Sequence, residues 1–275
     1  MEYFDSHAHY DDEKFDEDRD ELIQSLKNEN VTKVVSAGYC LEGSKNAIKL
    51  SEKYPFIYCT VGISPNDIEN NYQEDITEID KILQEYLTKN DAQEQNQVKE
   101  NANKNTTGKI VAVGEIGLDY HYDTDKETQK IAFKNQIEIA NKYNLPIVIH
   151  TRDAVSDTFQ ILKENPVNKK GVFHCCPFNR ELVKEALKLG FYISFSGTVT
   201  FKNAKNAEEI VNLVPNDRFL IETDSPYLAP EPVRGTRNNS INLKYIVKKI
   251  AEFKGMTEEE IAKLSYENTE RIFNI

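Results

Sequence analysis

Nowhere in the 275 residues is there an apolar run long enough to cross a bilayer, and the opening stretch MEYFDSHAHYDDEKF is acidic where a secretion signal would be basic and then apolar. A cytoplasmic protein with no membrane attachment is therefore expected. Cysteine is scarce. Cys40, Cys59, Cys175 and Cys176 form no CxxC pair, which argues against both a disulfide framework and a thiolate zinc site and leaves reduced, mostly buried thiols. Positive charge is also in short supply: 34 Lys and Arg stand against 46 Asp and Glu, a net charge of −12. Phosphate affinity normally comes from clustered bases, so an anionic substrate would have to be held by metal ions or by a few local basic groups.

With 39% apolar and 29% charged residues, the chain has the composition of a globular protein. Its length suits one large core, and a single domain spanning 1–275 is expected, as a monomer. Eight short β-rich runs lie at 2–6, 33–37, 57–61, 110–114, 146–149, 171–173, 191–195 and 219–222. Amphipathic segments at 16–29, 43–53, 74–88, 127–143, 180–189 and 203–213 fall between them. Strand then helix, repeated, predicts an α/β fold of the (β/α)8 TIM-barrel type, slightly distorted. Two extra C-terminal helices, 241–254 and 257–273, complete it, the second opened by a capping box of Thr257 and Glu260. Segment 89–109, nearly devoid of apolar residues, reads as a solvated polar insertion.

Of the five histidines, His7, His9, His150 and His174 each fall at the carboxyl end of an expected strand, while His121 sits in a loop. A parallel barrel gathers all its strand ends at one face, so these residues should converge. His7 and His9, two apart on a strand, should point the same way and could grip one ion together. Glu115 in VGEIGLDY and Asp224 in IETDSPYL fall at the same height. Taken singly, each could be a hydrogen-bonded core residue, a cap or a turn; the shared register of all six is what singles them out. The mixed imidazole and carboxylate set suits zinc, manganese or iron better than magnesium, which stays open. Six ligands exceed the needs of one tetrahedral ion with a position left for water, so two divalent ions bridged by Glu115 are expected. Asp224 is placed to accept or relay a proton. Arg152 and Arg234 are candidate phosphate clamps, and Tyr227 could stack on a base.

The stretches FDSHAHYDD, VGEIGLDYHYD, IVIHTRDA, FHC, YISFSGTVTFKNA and IETDSPYLAPEPVRGTRN, in that order along almost the whole chain, resemble the TatD-type metal-dependent hydrolases, DNases within the amidohydrolase-like superfamily. The resemblance implies His7, His9 and Asp224 on one ion, His150 and His174 on the other, and Glu115 shared. It also implies metal-dependent hydrolysis of DNA phosphodiesters, often from the 3′ end. The sequence departs from the family pattern at Ser64 and Asn66, where histidines are usual, at Cys176 in FHCCPFN, and at Asn239 in RGTRNNS. None is an expected ligand, so the hydrolase reading stands ahead of the nuclease reading. An esterase or deacylase acting on an aminoacyl-tRNA or a small metabolite, and a non-catalytic metal-binding protein, are the competing expectations.

Overall fold

Short β-branched runs flanked by turn residues cannot bury both faces alone, and here they do so by closing on one another. The computed structural model describes residues 1–68, 71–97 and 109–275, with the backbone alone over 89–97. Eight parallel strands pair in chain order: β1 (Tyr3–Ala8), β2 (Val31–Ser36), β3 (Ile57–Val61), β4 (Ile110–Asp119), β5 (Ile147–Arg152), β6 (Gly171–Phe173), β7 (Tyr192–Phe195) and β8 (Phe219–Ile221). The interleaved helices are α1 (Arg19–Ser25), α2 (Leu41–Lys53), α3 (Tyr72–Gln97), α4 (Lys126–Lys142), α5 (Val155–Glu164), α6 (Arg180–Lys188) and α7 (Ala207–Leu213). After β8 come α8 (Leu243–Lys254) and α9 (Glu258–Phe273), the latter opened by the Thr257 and Glu260 capping box.

The barrel is nearly closed. Among the described residues β8 forms no ladder with β1; the seam is stitched higher up by a parallel bridge between Ala8 and Ser225. There the His9 N–H donates to Ser225 O at 2.7 Å, and the Asp224 N–H to His7 O at 2.9 Å. Closure and site assembly are thus one event, because the bonds that join the ends of the barrel also seat Asp224 beside His7 and His9.

Two apolar clusters fill the structure. One lies largely between strands and helices. The other takes Phe4, Val35, Val111, Ala112, Val148, Val172, Tyr192 and Leu220 from seven strands, the packed interior of a small barrel. Phe273, at the end of α9, joins this inner cluster. The same helix is anchored beside the start of β2 by Tyr266 Oη against Thr32 Oγ1 at 3.1 Å and Glu270 against Lys33 Nζ at 2.6 Å. α9 therefore seals the amino-terminal mouth of the barrel, opposite the strand ends that carry chemistry.

Several expected boundaries shift. β4 runs five residues past 114, because Ile116 to Asp119 stay extended and pair with Ile149 to Arg152. Gly117 makes this possible: its φ is +144°, and a Cβ there would sit 2.0 Å from His150 O. β1 likewise extends to Ala8, so His7 lies inside the strand. α3 continues to Gln97, into the expected insertion, since Ala, Gln, Glu and Lys form helix readily even without an apolar face; the rest of that call, 98–108, lies outside the described residues. α5 has no counterpart among the expected segments, although it buries Phe159, Ile161 and Leu162.

Phe273 is 4% exposed, and truncating a buried phenylalanine costs ~3–5 kcal/mol. Phe273→Ala should lower the calorimetric Tm by roughly 5–9 °C, yet leave the metal content of folded protein at the wild-type level because the plug lies at the far end of the barrel.

Candidate metal centre

The six expected residues converge at the carboxyl ends of β1, β4, β5, β6 and β8. Glu115, 6% exposed, is their centre. Its Oε2 lies 3.4 Å from His7 Nε2 and 3.9 Å from His9 Nε2; its Oε1 lies 2.9 Å from His150 Nδ1 and 3.3 Å from His174 Nε2. One carboxylate oxygen thus faces each imidazole pair. Asp224 joins the first pair, with Oδ1 3.3 Å from His9 Nε2 and 3.8 Å from His7 Nε2. The donor atoms form two trios compact enough to hold an ion: His7, His9 and Asp224, and His7, Glu115 and His174.

Within each pair the facing imidazole nitrogens are 3.2 Å apart: Nε2 on Nε2 for His7 and His9, Nδ1 on Nε2 for His150 and His174. At most one nitrogen of such a contact can donate. A separation of 3.2 Å matches that of neighbouring ligands each ~2.0–2.1 Å from one zinc ion. The donor set therefore fits a divalent cation of the nitrogen- and oxygen-binding kind.

Electrostatics agree. Burial disfavours charge on Glu115, but His174, His150 and His7 outweigh it and hold the carboxyl well below its ordinary range. Burial also opposes charge on Asp224, and His9 reverses that. Among the imidazoles, burial is overcome at His9 by Asp224 and Glu115, which push it up to about 9, and at His174 by Glu115 and Glu222, which hold it well above its ordinary value. His150 is raised by Asp119 and Glu115 against its burial, and only His7 is lowered, by burial and by His174. The cluster attracts positive charge, which protons supply in the metal-free protein.

Supporting groups orient the ligands. His9 Nδ1 meets Ala37 O at 3.2 Å, and His150 Nε2 meets Asp119 Oδ2 at 2.9 Å. Asp5, fully buried, accepts hydrogen bonds from the His7 and Thr223 amides and from the Thr223 and Ser240 hydroxyls; burial nonetheless pushes it up to about 7. Asp119 and Glu222 were not among the expected site residues, yet a signal for them exists. Asp119 lies on β4 four residues beyond Glu115, the even spacing that puts side chains on one face, whereas Glu222 follows the end of β8 and is signalled by its nearness in sequence to Asp224 alone.

A pocket of about 1000 Å³ opens over the cluster, lined among others by Tyr39, Ser64, Asn66, Tyr122, Arg152 and Tyr227. Arg152 is exposed, with its guanidinium 5.6 Å from the Tyr122 ring centroid, and among the described residues it has no carboxylate partner. Tyr227 is 45% exposed, with its Oη donating to Asp12 at 2.6 Å and Lys14 Nζ 4.0 Å from its ring centroid. Arg234, expected as a second clamp, does not reach the pocket: its guanidinium lies 4.1 Å from the Phe201 ring centroid, on the outer surface. Of the departures from the family pattern, Ser64 and Asn66 are in the pocket wall, whereas Cys176 is buried at 2% exposure and Asn239 caps a turn of 3-10 helix.

Barrel, strand-end cluster and overlying pocket define a metal-dependent hydrolase. The family model for TatD-related DNases matches residues 4–274, and the chain belongs to that family. It is 42% identical over 274 residues, 99% of each chain, to a Bacillus subtilis protein called the uncharacterized metal-dependent hydrolase YabD, and 33% identical to a Methanocaldococcus jannaschii protein of the same description, over 99% of this chain and 97% of that one. Among solved structures, the TatD homologue YJJV of Escherichia coli superposes with a TM-score of 0.86 at 24% identity, covering 99% of this chain and 98% of that one. In these the fold is shared. No helix of the described residues is long and apolar enough to cross a membrane.

Metal uptake should release protons. His9 stays protonated up to about 9 in the metal-free protein, so below that pH an ion must displace its proton, and each displaced proton weakens affinity about tenfold per pH unit. Zinc titrations should therefore give a dissociation constant at least roughly tenfold larger at pH 7 than at pH 8, and a flat response would remove His9 from the ligand set. By elemental analysis Glu115→Ala should lose most bound metal, whereas Asp224→Asn should retain at least one ion.

Proposed function

We propose that this protein is a two-metal phosphodiesterase acting on DNA, of the 3′-5′ exonuclease type. The observation that carries the reading is Glu115, whose two oxygens each face a separate imidazole pair, as a bridging ligand between two ions requires. Bound together, two divalent ions would supply Lewis-acid charge for an in-line displacement and bring the pKa of a water toward neutrality. The chain's own groups do the rest. Asp224, ionised beside His9 in the metal-free protein and beside a cation once His9 has lost its proton, accepts the proton that the attacking water gives up. Arg152 offers a guanidinium fork to phosphate oxygens. Tyr122 and Tyr227, both exposed at the pocket, provide ring faces for an unpaired base.

A second reading has its own support. Among the described residues Arg152 is the single Lys or Arg lining the pocket, and histidines usual in the family are replaced by Ser64 and Asn66. Such a pocket also suits a smaller ester with little charge.

Incubation of manganese- or zinc-loaded protein with 3′-labelled single-stranded oligonucleotides, beside a panel of carboxylesters, separates the two. Stepwise loss of the 3′ label supports the nuclease; cleavage of the esters alone would transfer the site to the second reading. Arg152→Ala should raise KM for the oligonucleotide roughly ten- to hundredfold, the equivalent of a charge-assisted bond of about 1.5–3 kcal/mol, and leave turnover of an uncharged ester unchanged.

A further inference from the structure

The four imidazoles differ in what holds their second ring nitrogen. His9 and His150 have partners there, Ala37 O and Asp119. His7 Nδ1 and His174 Nδ1 do not: both are buried without a hydrogen bond, and so is the acceptor Glu222 Oε2. These orphans belong together. The His7 and His174 rings stack at 4.2 Å with 17° between planes, and both turn Nε2 toward Glu115. Their Nδ1 atoms therefore face away from Glu115. Glu222, fully buried one residue past β8, has Oε1 3.5 Å from His174 Nδ1, a contact not aligned as a hydrogen bond. The Cys175 amide fixes that carboxylate, donating to Oε1 at 2.5 Å and leaving Oε2 unused.

An imidazole that ligates through Nε2 must carry its hydrogen on Nδ1, which makes His7 and His174 two obligatory donors beside one under-used carboxylate. We propose that Glu222 is a positioning residue shared by both metal positions, accepting the Nδ1–H of His174 and of His7, directly or through one buried water. The inference rests on the two-metal reading above. Glu222 thereby sets the tautomer and raises the basicity of one ligand on each ion, and coupling of the two positions follows from the sharing. A leftover buried acceptor is costly by itself, and a buried water with two or three polar partners is the ordinary way to satisfy one.

Glu222→Gln keeps the volume and an acceptor for the Cys175 amide but removes the charge. Metal-free variant and wild type should melt within about 2 °C of each other, whereas titration with zinc should show both positions weakened, by roughly 10–100-fold, the usual effect of losing an outer partner of a ligating histidine. Unchanged affinity, or a loss confined to one position, overturns the proposal. A merely structural role would instead lower the melting temperature of the metal-free variant and spare affinity in the folded fraction. Should the variant not fold, 15N-histidine spectra of the zinc-loaded wild type decide: His7 and His174 should both show exchange-slowed, downfield Nδ1–H protons, and the lack of either sinks the assignment. A wild type that binds fewer than two ions brings down the two-metal reading and this inference with it. Two ions in the wild type, bound as tightly in Glu222→Gln, bring down this inference alone.

Discussion

A carboxylate sealed inside a protein is among the costliest groups to bury, worth several kcal/mol of lost hydration even after relaxation. Glu115 is such a group, and the upper half of the barrel is arranged around it. Four imidazoles, from β1, β5 and the turns after β1 and β6, converge on its two oxygens, and none of them is itself held as a fixed cation. Their charge depends on pH, so in the metal-free protein the compensation for Glu115 is conditional. A divalent cation held among these groups would make it unconditional. The need to neutralise Glu115 thus places the histidines, and a second carboxylate behind them, Asp119, fixes the His150 ring.

This dependence runs through the backbone as well. Among the described residues the barrel closes not by a ladder along β8 but by bonds that involve His7, His9, Asp224 and Ser225, so a ligand is misplaced if the seam opens. The opposite mouth carries no such burden. α9 closes it with Phe273 and a few polar anchors, and apolar packing there can be tight because nothing must enter. Stability is concentrated at one end and chemistry at the other, the usual division in barrels of this type.

The parts of this arrangement that obey a period were legible in the sequence. Eight β-rich runs at helical intervals gave the barrel, and four histidines at equivalent heights gave the cluster, because side-chain direction along a strand follows from residue parity. Asp119 obeys the same parity and Glu222 lies just past a strand end, but both are acids in an acid-rich chain, where an extra carboxylate draws no notice until its burial is known. Arg234 shows the converse: an arginine in a loop near the strand ends looks like a clamp, yet a loop has no period to aim it, and the Phe201 ring captured its guanidinium. α3 overran its expected end because a polar stretch rich in Gln, Glu and Lys satisfies helix propensity without any apolar stripe to announce it.

The acidity of the chain then bears on how an anion could be handled at all. With a net charge of −12, the long-range field repels a polyanion, and at physiological ionic strength that repulsion extends about 8 Å from the surface. Within the pocket the balance differs: the ligand carboxylates are matched by imidazoles and by whatever cations they bind, and Arg152 projects from the wall without a carboxylate partner among the described residues. Attraction is therefore confined to the floor of the pocket and one side of it. A substrate drawn in this way gains little from long stretches of backbone and much from a single reacting group seated at the cluster, so engagement of an end or a small ester suits the electrostatics better than a grip along a duplex.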